Sequence, residues 1–351
     1  MAIGSLTSRS LDVPAAAGPD ELQEYFHEQD LSDGLPVVLP TPARVAAMVA
    51  GSGMRADHEV GVMDPERGVA TVEKLAVNAV MAGCRPEYMP VIVAAVSAMC
   101  EQLFNLHAVQ ATTNPATPLL IVNGPIRRAI GMNTDRNLLG PGNRANATIG
   151  RAIRLAMRNV GGAYVGIDQA THGSPAKYSL CIAEDEESSP WEPLHITKGY
   201  DASASTVTVA GIESVINSTA VWWTAPSLLK MLAKTMRSTA TSQFFSRGTP
   251  NLMMSPAHAG VFVRAGYTKR QLRAELWEAA KVPLSDYPPE GNIPQGDWTT
   301  DGDRVLICES PEDLNLLVAG GTEGNASHSV FFSGFCLSKG VTRRIDWDRA
   351  A

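Results

Sequence analysis

In the stretch TVEKLAVNAVMAG, apolar residues fall at positions 72, 75, 76, 79 and 80, the three-and-four spacing of a helix with one buried face, and Gly83 follows as its stop. A second apolar helix is predicted from Pro86 to about Leu103, leaving Cys84 in the joint. DELQEYFHEQD reads as a short amphipathic helix. Val37 to Leu39 read as a short strand, and Thr41 with Pro42 as the cap and first turn of another helix. The continuous apolar run TPLLIVNGPI has the look of a fully buried strand. NRANATIGRAIRLAMRNVGG is predicted as a helix starting near Asn146 to Thr148 and stopped by Gly161 and Gly162.

Further along, KYSLCIAEDEE and STVTVAGIESV read as strands joined by the irregular crossing SPWEPLHITKGY. APSLLKMLAKTMRST and YTKRQLRAELWEAAK read as helices with the short strand NLMMSP between them. A polar, Pro-rich loop over residues 283–302 is long enough to be a lid or an inter-subunit arm. The end of the chain reads as strands around the Gly-rich turn LVAGGTEGNASHS, and no internal repeat is visible. Alternating strands and helices predict an α/β fold of layered sheets and helices, in two subdomains around a cleft: residues 21–200 and 201–351, after a disordered stretch over 1–20.

The chain has 351 residues and is 44% hydrophobic, enough for a full core. Its 29 basic and 36 acidic residues give a net charge of -7 without long runs, which argues against nucleic acid as a partner. No apolar stretch reaches the roughly 18 residues needed to cross a bilayer. Five cysteines, at 84, 100, 181, 308 and 336, form no CxxC pair and are expected as thiols in a cytoplasmic protein.

If the second helix starts at Pro86, its free N–H groups and the adjacent Arg85 should favour a Cys84 thiolate; the alternative is a small buried residue closing a tight corner. LLGPGNRANATIGRAIR gathers glycines, an Asn/Thr-rich cap and several arginines near a helix start, a pattern suited to a small carboxylate or phosphate. Neither a phosphate-binding GK[ST] nor a GxGxxG occurs there. His107 and His172 are candidate proton carriers on turns, and Gly320 and Gly321 a candidate anion nest. AEDEESSPWE reads as a solvated acidic turn, and His258 as a surface histidine beside a helix cap.

DGLPVVLPT, LAVNAVMAGCRPEYMPVI, LLIVNGPI, GPGNRANATIGRA and SSPWEPLH resemble pieces of a largely uncharacterised bacterial family sometimes labelled as UGSC-type (seleno)protein relatives. The resemblance covers most of residues 30–200 and implies a shared fold and a thiol or selenol theme, but no reaction. The chain has no CGSC sequence.

The leading expectation is therefore an enzyme, a lyase or hydrolase, acting on a small anionic substrate. Cys84 would be nucleophile and His107 or His172 would move the proton. Arg85, Asn143, Arg144, Asn146, Thr148, Arg151, Gly320 and Gly321 would hold the anion. No cofactor is required by this reading. The alternatives are a metal-dependent lyase, its divalent ion on His107, His172 and carboxylates or its cluster on Cys84, and a non-catalytic binding subunit. The apolar TAVWWTAP and the loop near residues 286–301 suggest a homo-oligomer.

Overall fold

The computed structural model describes residues 18–221, 224–237, 241–242, 248–287, 299–322 and 326–347. Most of the first twenty residues, Trp222 and Trp223, and residues 288–298 of the expected long loop lie outside these ranges. Pro19 and Asp20, expected to be disordered, instead open the first helix. Its Gly18 N–H donates to Glu21, so the turn closes on itself.

The first half of the chain runs α1 (Pro19–Glu28), α2 (Pro42–Gly51), β1 (Glu59–Met63), β2 (Gly68–Thr71), α3 (Val72–Ala82), α4 (Met89–Met99), α5 (Leu106–Ala111), β3 (Thr117–Asn123), α6 (Ile126–Ala129), α7 (Arg144–Asn159), β4 (Cys181–Ala183), α8 (Leu194–Thr197) and β5 (Thr206–Val221). The second half runs α9 (Ala225–Met236), β6 (Asn251–Met254), α10 (Pro256–Arg264), α11 (Lys269–Ala279), β7 (Val282–Pro283), β8 (Thr300–Asp301), β9 (Arg304–Val305), β10 (Asn315–Val318), β11 (Ala326–Gly334) and β12 (Val341–Arg344). Strands and helices mix throughout, as the sequence predicts. The expected strand at Val37–Leu39 does not form. Pro36 and Pro40 flank it and can donate nothing to a ladder, and Val38 N–H to Met81 O is its one main-chain bond to α3.

A seven-stranded mixed sheet, in the order β10-β6-β11-β5-β3-β4 with β12 also on β5, carries the fold. It curls until the ends of its edge strands meet: Asp185 N–H donates to Val318 O, and Val318 N–H to Glu184 Oε1. Alternation along each strand then sends side chains to two faces. Leu119, Ile121, Ile182, Ala210, Met253, Leu317 and Phe332 fill the inside of the curl. Leu120, Val122, Val207 and Val209 face outward onto α2, α3, α4 and α7, while Leu252, Met254, Leu316 and Phe331 face outward onto α9, α10 and α11. The sheet crosses residue 200 without a break, since β3 pairs with β5 from Thr117↔Ile212 to Asn123↔Thr206.

The topology repeats itself. β3, helices α6 and α7, β4 and β5 are matched by β6, helices α10 and α11, β10 and β11. In each set the first two strands are parallel and the last is antiparallel to the first. The register matches as well: Val122↔Ala183 corresponds to Met254↔Val318. The bond that follows each pair, Glu184 N–H to Val122 O, is reproduced by Ala319 N–H to Met254 O. The last strands of the two sets, β5 and β11, lie antiparallel side by side.

Candidate functional site

Gly83 ends α3 in the left-handed conformation, at φ 85°, and Cys84 N–H turns back to Ala79 O at 2.9 Å. Arg85 precedes a single 3-10 turn, Pro86–Tyr88, which leads into α4. The Cys84 sulfur is hydrogen-bonded to the main chain of α7. It donates to Thr148 O at 3.2 Å, and the residue is 6% exposed. Burial dominates: it pushes the thiol up to about 12, against the weaker opposing pull of the Thr148 contact, Arg144 and Arg151. The expected easily ionised thiolate is therefore corrected, because this setting keeps the proton on sulfur.

The Asn/Arg-rich turn does meet the Cys84 corner, but its polar groups are already engaged. Arg144 Nε and Nη2 lie 3.2 and 3.0 Å from Gly83 O, so the guanidinium satisfies a carbonyl at the end of α3. Asn143 donates to Asn137 O and Gly140 O and accepts from Asn133 Nδ2, and Asn146 exchanges two bonds with the Asn133 main chain. Thr148 Oγ1 bonds Arg144 O. Arg151 clamps Asp33 with two bonds of 2.8 Å and reaches Leu35 O and Pro36 O. Arg85 is exposed, 3.8 Å from Glu87. His107 on α5 and His172 on the loop before Ser174 are both exposed, and the charged groups acting on the Cys84 sulfur are Arg144 and Arg151. Among the described residues, no three His, Cys, Asp or Glu side chains come together as a metal-ligand group.

Gly320 and Gly321 have a different setting. They help line a cavity of about 300 Å³ at the carboxyl ends of β6 and β10, floored by Met253 and Val330. That is the end of parallel strands at which α/β sheets present their ligand crevices. The loop that carries Asn143 contributes Arg136 and Asn137 to the wall, and Gly320 N–H fastens the glycine turn to the same loop through Thr134 O. Ser255 caps α10, accepting from His258 N–H at 3.3 Å and pairing with Ser327 Oγ. His328 stands on the opposite wall with Nδ1 3.2 Å from Asn217 Nδ2 and from Thr219 Oγ1. An amide nitrogen can only donate, so Nδ1 accepts and the neutral ring carries its proton on Nε2. No protein-family model matches this chain, and no curated protein matches it.

Sequence reasoning missed a densely bonded polar cluster at the end of β4. AEDEESSPWE is not a solvated turn: Glu184 is fully buried and accepts from Asn123 Nδ2 at 2.7 Å, Leu194 N–H at 2.7 Å and Val318 N–H at 3.3 Å. Glu186 accepts from Gly124 N–H, Asn123 Nδ2 and Arg127 Nη2 at 2.6, 3.0 and 3.1 Å, and Arg127 also binds Glu187 through two bonds. Buried Lys269 lies 3.9 Å from Glu184 and bonds Glu192 O. The available signal was position, since these acids directly follow an apolar strand and so must begin at its buried end. His258, expected at the surface, is 3% exposed and bonds Ser329 Oγ at 2.8 Å; burial pulls its pKa down to about 4.

Proposed function

We propose that the protein is an enzyme of the lyase or hydrolase type that takes a small organic anion into the cavity at the ends of β6 and β10. Arg136 anchors the anion, Ser255 and the Gly320–Gly321 turn shape the wall beside it, and His328 moves the proton. The observation that supports this reading above the others is convergence: one arginine, one imidazole and one capped serine border a space of about 300 Å³. At roughly 30 Å³ per water-sized group, that is room for about ten non-hydrogen atoms. A neutral imidazole with its Nε2 proton available can donate to a leaving group and take the proton back later. Cys84 has a packing role in this reading.

The test is a screen of small organic anions by thermal shift, with turnover of each stabilising compound followed by proton NMR. Hits should lose their effect in Arg136→Gln, and turnover should fall at least a hundredfold in His328→Gln while binding persists. Stabilisation that survives both substitutions would place the ligand elsewhere.

A further inference from the structure

A second cavity, of about 310 Å³, lies on the outer side of the curled sheet, where α4 packs against β12. It shares no residue with the cavity at the ends of β6 and β10. Pro90, Val93, Ala94 and Ser97 fall at i, i+3, i+4 and i+7 of α4, so one stripe of that helix lines the groove. Val93 and Ala94 are each 7% exposed, so the stripe is recessed. Met54, just after α2, and Val60, on β1, complete the apolar part of the lining.

The polar part has a different origin. Arg343 and Arg344 come from β12, Asp346 from just beyond it, and His58 from the turn before β1. Arg343 is engaged by Glu101. Arg344 is held loosely: its side chain is 64% exposed, and its ion pair leaves Nε 3.9 Å from Asp346 Oδ1, beyond hydrogen-bond reach. A guanidinium with donors to spare beside a recessed apolar lining suits a ligand with an anionic head and a hydrocarbon body. Asp346 sets the charge of that head, since a second negative charge would meet its carboxylate at the same end. At roughly 30 Å³ per water-sized group the groove admits about ten non-hydrogen atoms, which is one carboxylate on a chain of about seven carbons.

We propose that this groove binds a medium-chain monocarboxylate, its hydrocarbon chain along the Pro90–Ser97 stripe of α4 and its carboxylate on the Arg344 guanidinium. The chain supplies most of the affinity. Each buried methylene is worth about fourfold, whereas an ion pair as exposed as that of Arg344 is worth about fivefold at most. The proposal is independent of the anion site at β6 and β10, because the two cavities have no residue in common.

Calorimetric titration of the full chain with butanoate, hexanoate, octanoate and decanoate, and with octanol, tests this. Octanoate should bind at least about fiftyfold more tightly than butanoate, and decanoate within about threefold of octanoate, because carbons beyond the eighth reach solvent. Arg344→Glu, at an exposed position, should weaken octanoate about fivefold or more and leave octanol unchanged. Ser97→Phe puts a ring into the groove from a half-buried position and should abolish octanoate binding. If Ser97→Phe does not fold, the chain-length series and Arg344→Glu decide. Binding that ignores chain length, binding indifferent to both substitutions, or no binding at any length would overturn the site. Octanol losing as much as octanoate in Arg344→Glu would overturn the placement of the head. A doubled mass in solution that Ser97→Phe abolishes, without octanoate binding, would assign the groove to a second copy of the chain instead.

Discussion

Alkylation of Cys84 gives the sharpest check on its burial. Moving a thiol from 9.0 to about 12 lowers its thiolate fraction near neutral pH about a thousandfold, and ionising it in place costs about 4 kcal/mol more than in water. Access adds to this, because Cys84 is buried and its thiol hydrogen already points at Thr148 O. Iodoacetamide at pH 7.5, with timed quenching and mass spectrometry of the peptide carrying Cys84, should label the native protein at least a hundredfold more slowly than the urea-unfolded chain. The folded state also holds a proton that the unfolded chain releases, so this thiol's contribution to stability is complete below pH 9 and is lost as pH rises toward 12. Native labelling at the unfolded rate would refute the account and restore the thiolate at the helix joint.

Two further outcomes follow from buried charges. Burial pushes Asp33 up, but the Arg151 guanidinium outweighs it and holds the carboxyl below its usual value of 3.8. Arg151→Ala should cost about 2 kcal/mol by urea denaturation, and the wild-type advantage over it should be present above pH 4 and shrink as pH falls lower, so a pH-independent difference would contradict the pairing. His258, pulled from 6.5 down to about 4 by burial and by His328, should make the folded state lose stability between those values as the unfolded chain takes up a proton the native ring refuses. After allowance for solvent screening the loss is about 2 kcal/mol; His258→Asn should flatten that part of the thermal-melt profile, and an unchanged slope would sink the assignment.

What could be read from the residues alone was local. Periodicity and Gly83 gave α3 its length and its stop, Thr41 caps α2 by accepting from Arg44 N–H, and the strand at 117–123, apolar from Pro118 to Val122, is buried throughout. A helix near Asn146 was expected, and it starts at Arg144 because the Asn133, Asn137 and Asn143 side chains knit the preceding loop. The candidate site was less legible. Asn143, Arg144 and Arg151 have the composition of an anion pocket, yet distant carbonyls and Asp33 consume their donors, and that depends on which loops fold against α7. Turn chemistry singles out Gly320 and Gly321 as candidates, whereas Arg136, Ser255 and His328 come together only when β6, β10 and β11 pair. The duplicated topology leaves no trace as a sequence repeat, since the two halves share register and direction but replace Asn123 by Ser255 and Glu186 by Gly321.

β12 pairs with the opening residues of β5, Val341↔Val209 to Arg344↔Thr206, beyond the point where β11 leaves that strand. Trp347 Nε1 then bonds Ser205 Oγ and Ile345 N–H bonds Ser205 O. A nascent chain emerging from the ribosome therefore lacks the last seam of its first-made half until residue 347 is out. Clipping after Lys339 would loosen the sheet some 130 residues upstream of the cut before disturbing the helices nearest to it.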